Sequence, residues 1–173
     1  IWYICKDVYN FRFDEVNVMN ELVYRNLSED AKRQICAWKY GGEYDLYNLP
    51  AYEEMQVRQI GFMNPKREKN YYGFWDESIL VGFVNILEEK EEVFIGIGVN
   101  PDLCNKHYGQ RMLLITYEIS KKLYPNKPLY LEVRTWNIRA VKCYQKAGFR
   151  IDGQAYELTT GIGTGTFYRM IRE

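Results

Sequence analysis

The chain of 173 residues contains one histidine, His107, and four cysteines, Cys5, Cys36, Cys104 and Cys143, without paired spacing. A lone histidine among scattered thiols does not make a zinc pattern, and a domain of this size needs no disulfide framework. We therefore expect no metal and reduced thiols, hence a cytoplasmic protein. An excess of either charge is also missing: 23 Lys and Arg offset 23 Asp and Glu. That balance argues against a nucleic-acid partner bound by phosphate neutralisation. No apolar run approaches the ~18 residues of a membrane-spanning helix, so no membrane partner is expected. Lys6, Asp7, Arg12 and Asp14 interrupt any secretory leader. The first residue is Ile1 rather than Met, as expected of a trimmed or incomplete N-terminus.

Aromatic residues are plentiful, with 16 Tyr, 8 Phe and 4 Trp, enough to fill a core and also line a cleft. Residues 1–19 are aromatic-rich but aperiodic and read as an extension of uncertain structure, leaving 20–173 as one domain. Leu22 to Asn26 alternates as a short strand. Ser28 caps a helix whose one face is Ala31, Ile35 and Trp38, with Glu29 and Asp30 in its first turn. The stretch 41–50 is a loop, and a second helix runs from about Ala51 to Phe62. NYYGFW, ILVGFVNIL and EVFIGIGV are three successive strands. A helix capped by Asp102 or Asn105 then runs to Lys122. LYLEVR is a strand and Asn137 opens a helix ending at Gly148. Two last strands cover roughly Arg150–Leu158 and Gly165–Ile171. This order predicts an α/β (α+β) domain with a mixed sheet.

Two places carry chemistry. At FIGIGVNPDLCNKHYGQRMLLI a strand feeds a helix, leaving backbone N–H groups unpaired at the positive end of a helix dipole. Such a corner takes phosphate without a dedicated side chain, and Lys106 adds a charge. The second place is LYLEVRTWNIRAVKCYQKAGF, where Asn137 and Tyr144 lie nearly two helical turns apart on one side. Ala140 and Gly148 keep that side narrow, as a slender ligand would require. A tyrosine hydroxyl there can protonate a leaving thiolate of similar basicity, or it can be an amphipathic core residue with its hydroxyl at the rim.

These two stretches, with N-x-x-A-x-x-x-Y-x-K-x-G-F matched at Asn137, Ala140, Tyr144, Lys146, Gly148 and Phe149, resemble the GNAT superfamily of acetyl-CoA-dependent N-acetyltransferases. The resemblance spans about Glu21 to Arg172. It implies a mixed, mostly antiparallel sheet, splayed into a V between its fourth and fifth strands and flanked by helices on both faces. It implies acetyl-CoA in the V, its pantetheine paired with backbone at Ile97, Gly98 and Val99. The pyrophosphate then rests on Asn105, Lys106, His107, Tyr108, Gly109 and Gln110, the cofactor passes Asn137 and Ala140, and Tyr144 takes the place of the general acid. The strand-four backbone would polarise the thioester carbonyl. The family's loop pattern [Q/R]-x-x-G-x-[G/A] falls on Cys104, His107 and Gly109, and only Gly109 fits. His107 therefore either impairs cofactor binding or replaces a backbone contact with an imidazole.

The LEVR run resembles protein N-terminal alanine acetyltransferases, which implies Glu132 as the base that activates the attacking amine. The alternative is a salt bridge from Glu132 to Arg134 or a helix lysine. Trp38, Tyr40, Tyr44, Tyr47 and Tyr52, with Glu43 and Asp45, are read either as an aromatic, mildly acidic substrate wall or as packing under a loop. The expected function is acetyl transfer from acetyl-CoA to a primary amine by direct attack in a ternary complex. The acceptor is a small-molecule amine or a protein N-terminus. Cys104 and Cys143 are not expected to be nucleophiles, because neither has a base placed beside it. Two rivals stay open. One is an acyl-CoA-binding or sensing module with little or no turnover; the other is a structural or oligomerising protein, such as a homodimer, with residues 1–19 at its interface.

Overall fold

The computed structural model describes residues 22–173, so the expected extension at 1–19 lies outside the described residues. Strand β1 is Val23–Asn26, helix α1 Glu29–Ala37 and helix α2 Tyr52–Arg58. Strands β2 (Tyr71–Asp76), β3 (Ile79–Glu88) and β4 (Val93–Val99) follow, then helix α3 (Tyr108–Leu123). The chain ends with β5 (Leu129–Arg134), α4 (Ile138–Lys146), β6 (Arg150–Ile151), β7 (Tyr156–Thr160) and β8 (Gly163–Arg172).

Local chemistry explains most boundaries. Ser28 accepts from the Ala31 N–H at 3.3 Å and starts α1 as expected, but Trp38 is already in extended backbone past its end. Of the three expected face residues only Ala31 and Ile35 therefore lie on the buried helical face, with Lys32 and Cys36 beside them. Helix α2 stops at Arg58 because Gln59 turns left-handed, and a 3-10 turn carries Gly61–Met63 where helix was expected. The loop 41–50 contains a 3-10 helix, Gly42–Tyr47. The expected strand 150–158 is two pieces, β6 and β7, because Gly153 bends the chain at φ 80°; both pieces pair with β8.

The strands form one sheet in the order β1-β2-β3-β4-β5-β8-β6, with β7 also on β8. All pairs are antiparallel except β4 with β5. That parallel pairing covers only Val93 with Leu129 and Phe94 with Tyr130. Beyond Phe94 the two strands part, and the sheet opens as the expected V. Helices α3 and α4 cover one face over Met112, Leu113, Val141, Val84, Ile95 and Leu131. Helices α1 and α2 cover the other over Ile35, Met55, Phe62, Trp75 and Leu80. Buried positions Met112, Leu113, Thr116, Ile119 and Ser120 give α3 the one-sided spacing that seats it on the sheet.

Candidate active site

The opening of the V exposes one edge of β4. The Asn100 N–H bonds the Val81 carbonyl at 2.9 Å, so across the same trans peptide the Val99 carbonyl points away from β3, into the V. The Val93 N–H bonds Pro128 at 2.9 Å on that same side. By the two-residue period of a strand, Ile95, Ile97 and Val99 present backbone to the open edge, whereas Gly98 turns its own toward β3. Of the three positions expected to pair with a cofactor, Ile97 and Val99 therefore offer backbone groups. Gly98 offers the absence of a side chain: a Cβ there would sit 2.4 Å from the Phe83 ring. The Val99 carbonyl accepts from the Tyr40 hydroxyl at 2.7 Å. Burial pushes that hydroxyl up to about 12, so it remains a donor at ordinary pH.

A cavity of about 890 Å³ fills the V and reaches both faces of the sheet. Ile97, Gly98, Val99, Asn105, His107, Tyr108, Gly109, Gln110, Glu132, Asn137, Ala140, Tyr144, Trp38 and Tyr40 line it. Two expected site residues do not: Lys106 is exposed outside it, and Tyr44 instead packs on Trp136 at 5.6 Å under the Arg139 guanidinium. Tyr47 joins the wall, but Tyr52 is buried between α1 and α2 with its hydroxyl on Glu29. Glu43 and Asp45 are exposed and line none of the cavity, so the acidic part of the expected wall is not there.

The corner before α3 differs from expectation in a way that favours an anion. Asp102 sits in a 3-10 turn, Pro101–Leu103, and α3 starts later, at Tyr108, with His107 as its N-cap. Asn105 and His107 both have φ 64°. His107 thus adopts a left-handed backbone, the conformation glycine takes most readily, at a cost of about 1–2 kcal/mol. Its side chain is exposed and makes no cap hydrogen bond, leaving the first N–H groups of α3 open. A Cβ on Gly109 would approach Cys143 Sγ at 3.0 Å, so glycine lets α3 and α4 close on each other here. Gln110 gives its side-chain amide to the Lys146 carbonyl at 3.2 Å, and Tyr108 gives its hydroxyl to Asp76 at 2.7 Å. These two residues therefore offer an anion backbone only. Because the imidazole is not buried into the fold, His107→Gly should leave the melting temperature unchanged or raise it.

Helix α4 brings the second stretch to the same cavity. Asn137 caps it, accepting from the Ala140 N–H at 3.1 Å and donating to the Tyr47 hydroxyl at 3.3 Å. Gly148 does not narrow the cavity; it ends the helix at φ 88°. Tyr144 is half-buried, and among the described residues its hydroxyl has no hydrogen-bond partner. Burial, with Cys143, Tyr47 and Tyr40 around it, raises Tyr144 above the ordinary tyrosine value. Burial likewise raises the Cys104 and Cys143 thiols. Arg139, Lys142 and Lys146 also line the cavity and were not anticipated. Their spacing of three and four residues, alongside Asn137 and Tyr144, is the helical charge pattern that would have revealed them.

Glu132 reaches the cavity from the opposite face. Leu129, Leu131 and Val133 pack under α3 and α4, so alternation sends Glu132 and Arg134 toward α1 and α2. Glu132 accepts a 2.5 Å hydrogen bond from the Tyr156 hydroxyl, which is pushed up to about 12 by burial and then by this carboxylate. The alternative salt bridge does not form: Arg134 donates to the carbonyls of Ile162, Gly163 and Thr164 at 3.1–3.4 Å. Among the described residues no three His, Cys, Asp or Glu side chains are grouped to hold a metal, and no helix is long and apolar enough to cross a membrane.

Solved structures with this architecture include a Vibrio cholerae spermidine N-acetyltransferase in complex with CoA and spermine, at 17% identity and TM-score 0.69, covering 88% of this chain and 95% of that one. A GNAT-family acetyltransferase from Bacillus anthracis aligns at 15% identity and TM-score 0.68, with the same coverage of each chain. AAC(6')-Ib in complex with ribostamycin and coenzyme A aligns at 16% identity and TM-score 0.66, over 87% of this chain and 93% of that one. At these identities the likeness shows a shared fold. No curated protein matches the sequence significantly. The family model for the acetyltransferase (GNAT) family matches residues 32–149, well over half of the chain. The open V, the helix N-terminus beside it and this match agree: the chain belongs to the GNAT family of acetyltransferases.

Proposed function

We propose that the protein transfers an acetyl group from acetyl-CoA to a primary amine by direct attack in a ternary complex. The observation that carries this reading is the β4 edge at Ile97 and Val99, which no described strand pairs and whose Val99 carbonyl is held by Tyr40, facing a cavity that joins the Tyr144 hydroxyl to the Glu132 carboxylate through the sheet. The residues fit acetyl-CoA. The open first turn of α3 suits its pyrophosphate, and Arg139, Lys142 and Lys146 add positive charge along α4. Acetyl-CoA supplies the acetyl group as a thioester whose leaving group is a thiolate.

Each side chain then has a distinct role. A β4 amide at the open edge donates to the carbonyl oxygen that gains charge during attack. Glu132, on the acceptor face, takes a proton from the ammonium directly or through water, because only the neutral amine can attack. The C–N bond forms as the C–S bond breaks. Tyr144, on the other face, gives its proton to sulfur and regains one from solvent, while the new amide sheds its extra proton to the same solvent. No acetyl-enzyme is needed, and the raised thiols of Cys104 and Cys143 stay protonated and unsuited to one.

Acetyl-CoA should raise the melting temperature, since a ligand bound only by the folded state stabilises it. Pantetheine analogues lacking the phosphates should do so much less. Equal shifts would remove the pyrophosphate from the α3 corner. His107→Gly should keep or tighten acetyl-CoA binding, because the backbone shape is what the corner offers; weaker binding would assign the imidazole to phosphate. Thiol release over an amine panel separates an enzyme from a binding module.

A further inference from the structure

We infer that the acceptor carries a single positive charge on an aromatic or branched apolar body, and is not a polycation; this rests on the acetyl-transfer reading above. The acceptor side of the cavity is the α1 and α2 face of the sheet, the face to which Glu132 points. Its floor is aromatic. Phe83 lies over Gly98, Trp38 stands 6.2 Å from Phe83, and Tyr71 stands 6.5 Å from it. All three are half-buried and line the cavity, with Leu49 beside them, so the uncovered parts of these side chains face a ligand.

The charges of this face point the same way. Among the described residues Glu132 is the one carboxylate that lines the cavity, and one of its oxygens is taken by Tyr156. Two residues further on the same face of the strand is Arg134, 7% exposed; among the described residues its guanidinium meets neutral carbonyls and the Phe167 ring and has no carboxylate partner. Arg169, opposite Glu132 on β8, is already paired with Glu92 and Asp152. One free anion therefore receives one ammonium. A second or third ammonium group would meet an apolar floor or the uncompensated charge of Arg134, and burying a charge without a partner is costly. An aryl ring would instead cover the exposed parts of Trp38, Phe83 and Tyr71.

The test compares 2-phenylethylamine with spermidine as acceptors at saturating acetyl-CoA, and separately titrates the two acetylated products onto the CoA-bound protein. We expect kcat/KM for 2-phenylethylamine to exceed that for spermidine by roughly ten- to a hundred-fold, the scale of burying one aromatic side. N-acetyl-2-phenylethylamine should bind correspondingly more tightly than N1-acetylspermidine. Trp38→Ala should remove most of that preference and Trp38→Phe should keep it, with melting temperatures reporting that both variants fold. Spermidine acetylated as well as 2-phenylethylamine, or better, would overturn the inference and leave acetyl transfer standing. Tight binding of the aryl product without turnover of either amine would support the aromatic chamber and overturn the acetyl-transfer reading instead. Equal binding of the two products would overturn the inference whatever the turnover.

Discussion

Tyr144→Phe should lower turnover by roughly ten- to a thousand-fold, the range open to a general acid, with acetyl-CoA affinity little altered. The substitution keeps the ring that packs against the α3 and α4 core and removes only a hydroxyl with no protein partner among the described residues. The fold should therefore lose little stability. Burial raises Tyr144 above its ordinary value, which at first weakens it as an acid. The leaving thiolate is generated in the same enclosure, however, and burial raises thiols there too, as at Cys143. Acid and leaving group shift in the same direction, so their match survives. The sign for pH follows: a raised tyrosine stays protonated as pH passes 10, so the wild-type rate should not fall at the ordinary tyrosine value. Wild-type turnover in Tyr144→Phe, measured where chemistry limits the rate, would reduce the residue to packing.

Glu132→Gln should remove or displace the limb of the pH–rate profile that rises with pH. Its deficit should shrink at high pH, where the amine is already neutral. Glutamine keeps the shape and can still accept from Tyr156, but it cannot take the ammonium proton. Because Glu132 holds a hydroxyl and not a cation, the substitution exchanges a charged hydrogen bond for a neutral one, at a cost of about 1 kcal/mol. A large fall in melting temperature with an unchanged pH profile would make the carboxylate structural. If neither changes, the amine is deprotonated by solvent and the LEVR run reflects the strand alone.

The placement of these two residues was legible in the sequence to different depths. The alternation of Leu129, Leu131 and Val133 against Glu132 already assigns the glutamate to the face opposite the buried one. The N-cap Asn137 and the spacing to Tyr144 already assign the tyrosine to one side of a helix. Both inferences need only local periodicity, which the chain carries within ten residues. The positions of Lys106, Tyr44 and Tyr52 were not legible in this way, because each depends on where a loop or helix is laid down by distant contacts. Tyr52 illustrates it: its neighbours suggest a cleft, but α1 and α2 close around it and give its hydroxyl to Glu29.

What the sequence by itself determined is therefore most of the local elements, the caps of α1 and α4 and the buried face of β5, since these follow from side-chain period and backbone preference. The tertiary structure alone decided the geometry of the candidate site. It parts β4 from β5 after Phe94, so that no described strand pairs the Ile97 and Val99 backbone on that side. It bends Asn105 and His107 left-handed before α3. It joins Tyr144 and Glu132 through the gap in the sheet. Each of these is set by pairing between strands and helices far apart in the chain, and no local pattern encodes which edge of a sheet will be left unpaired.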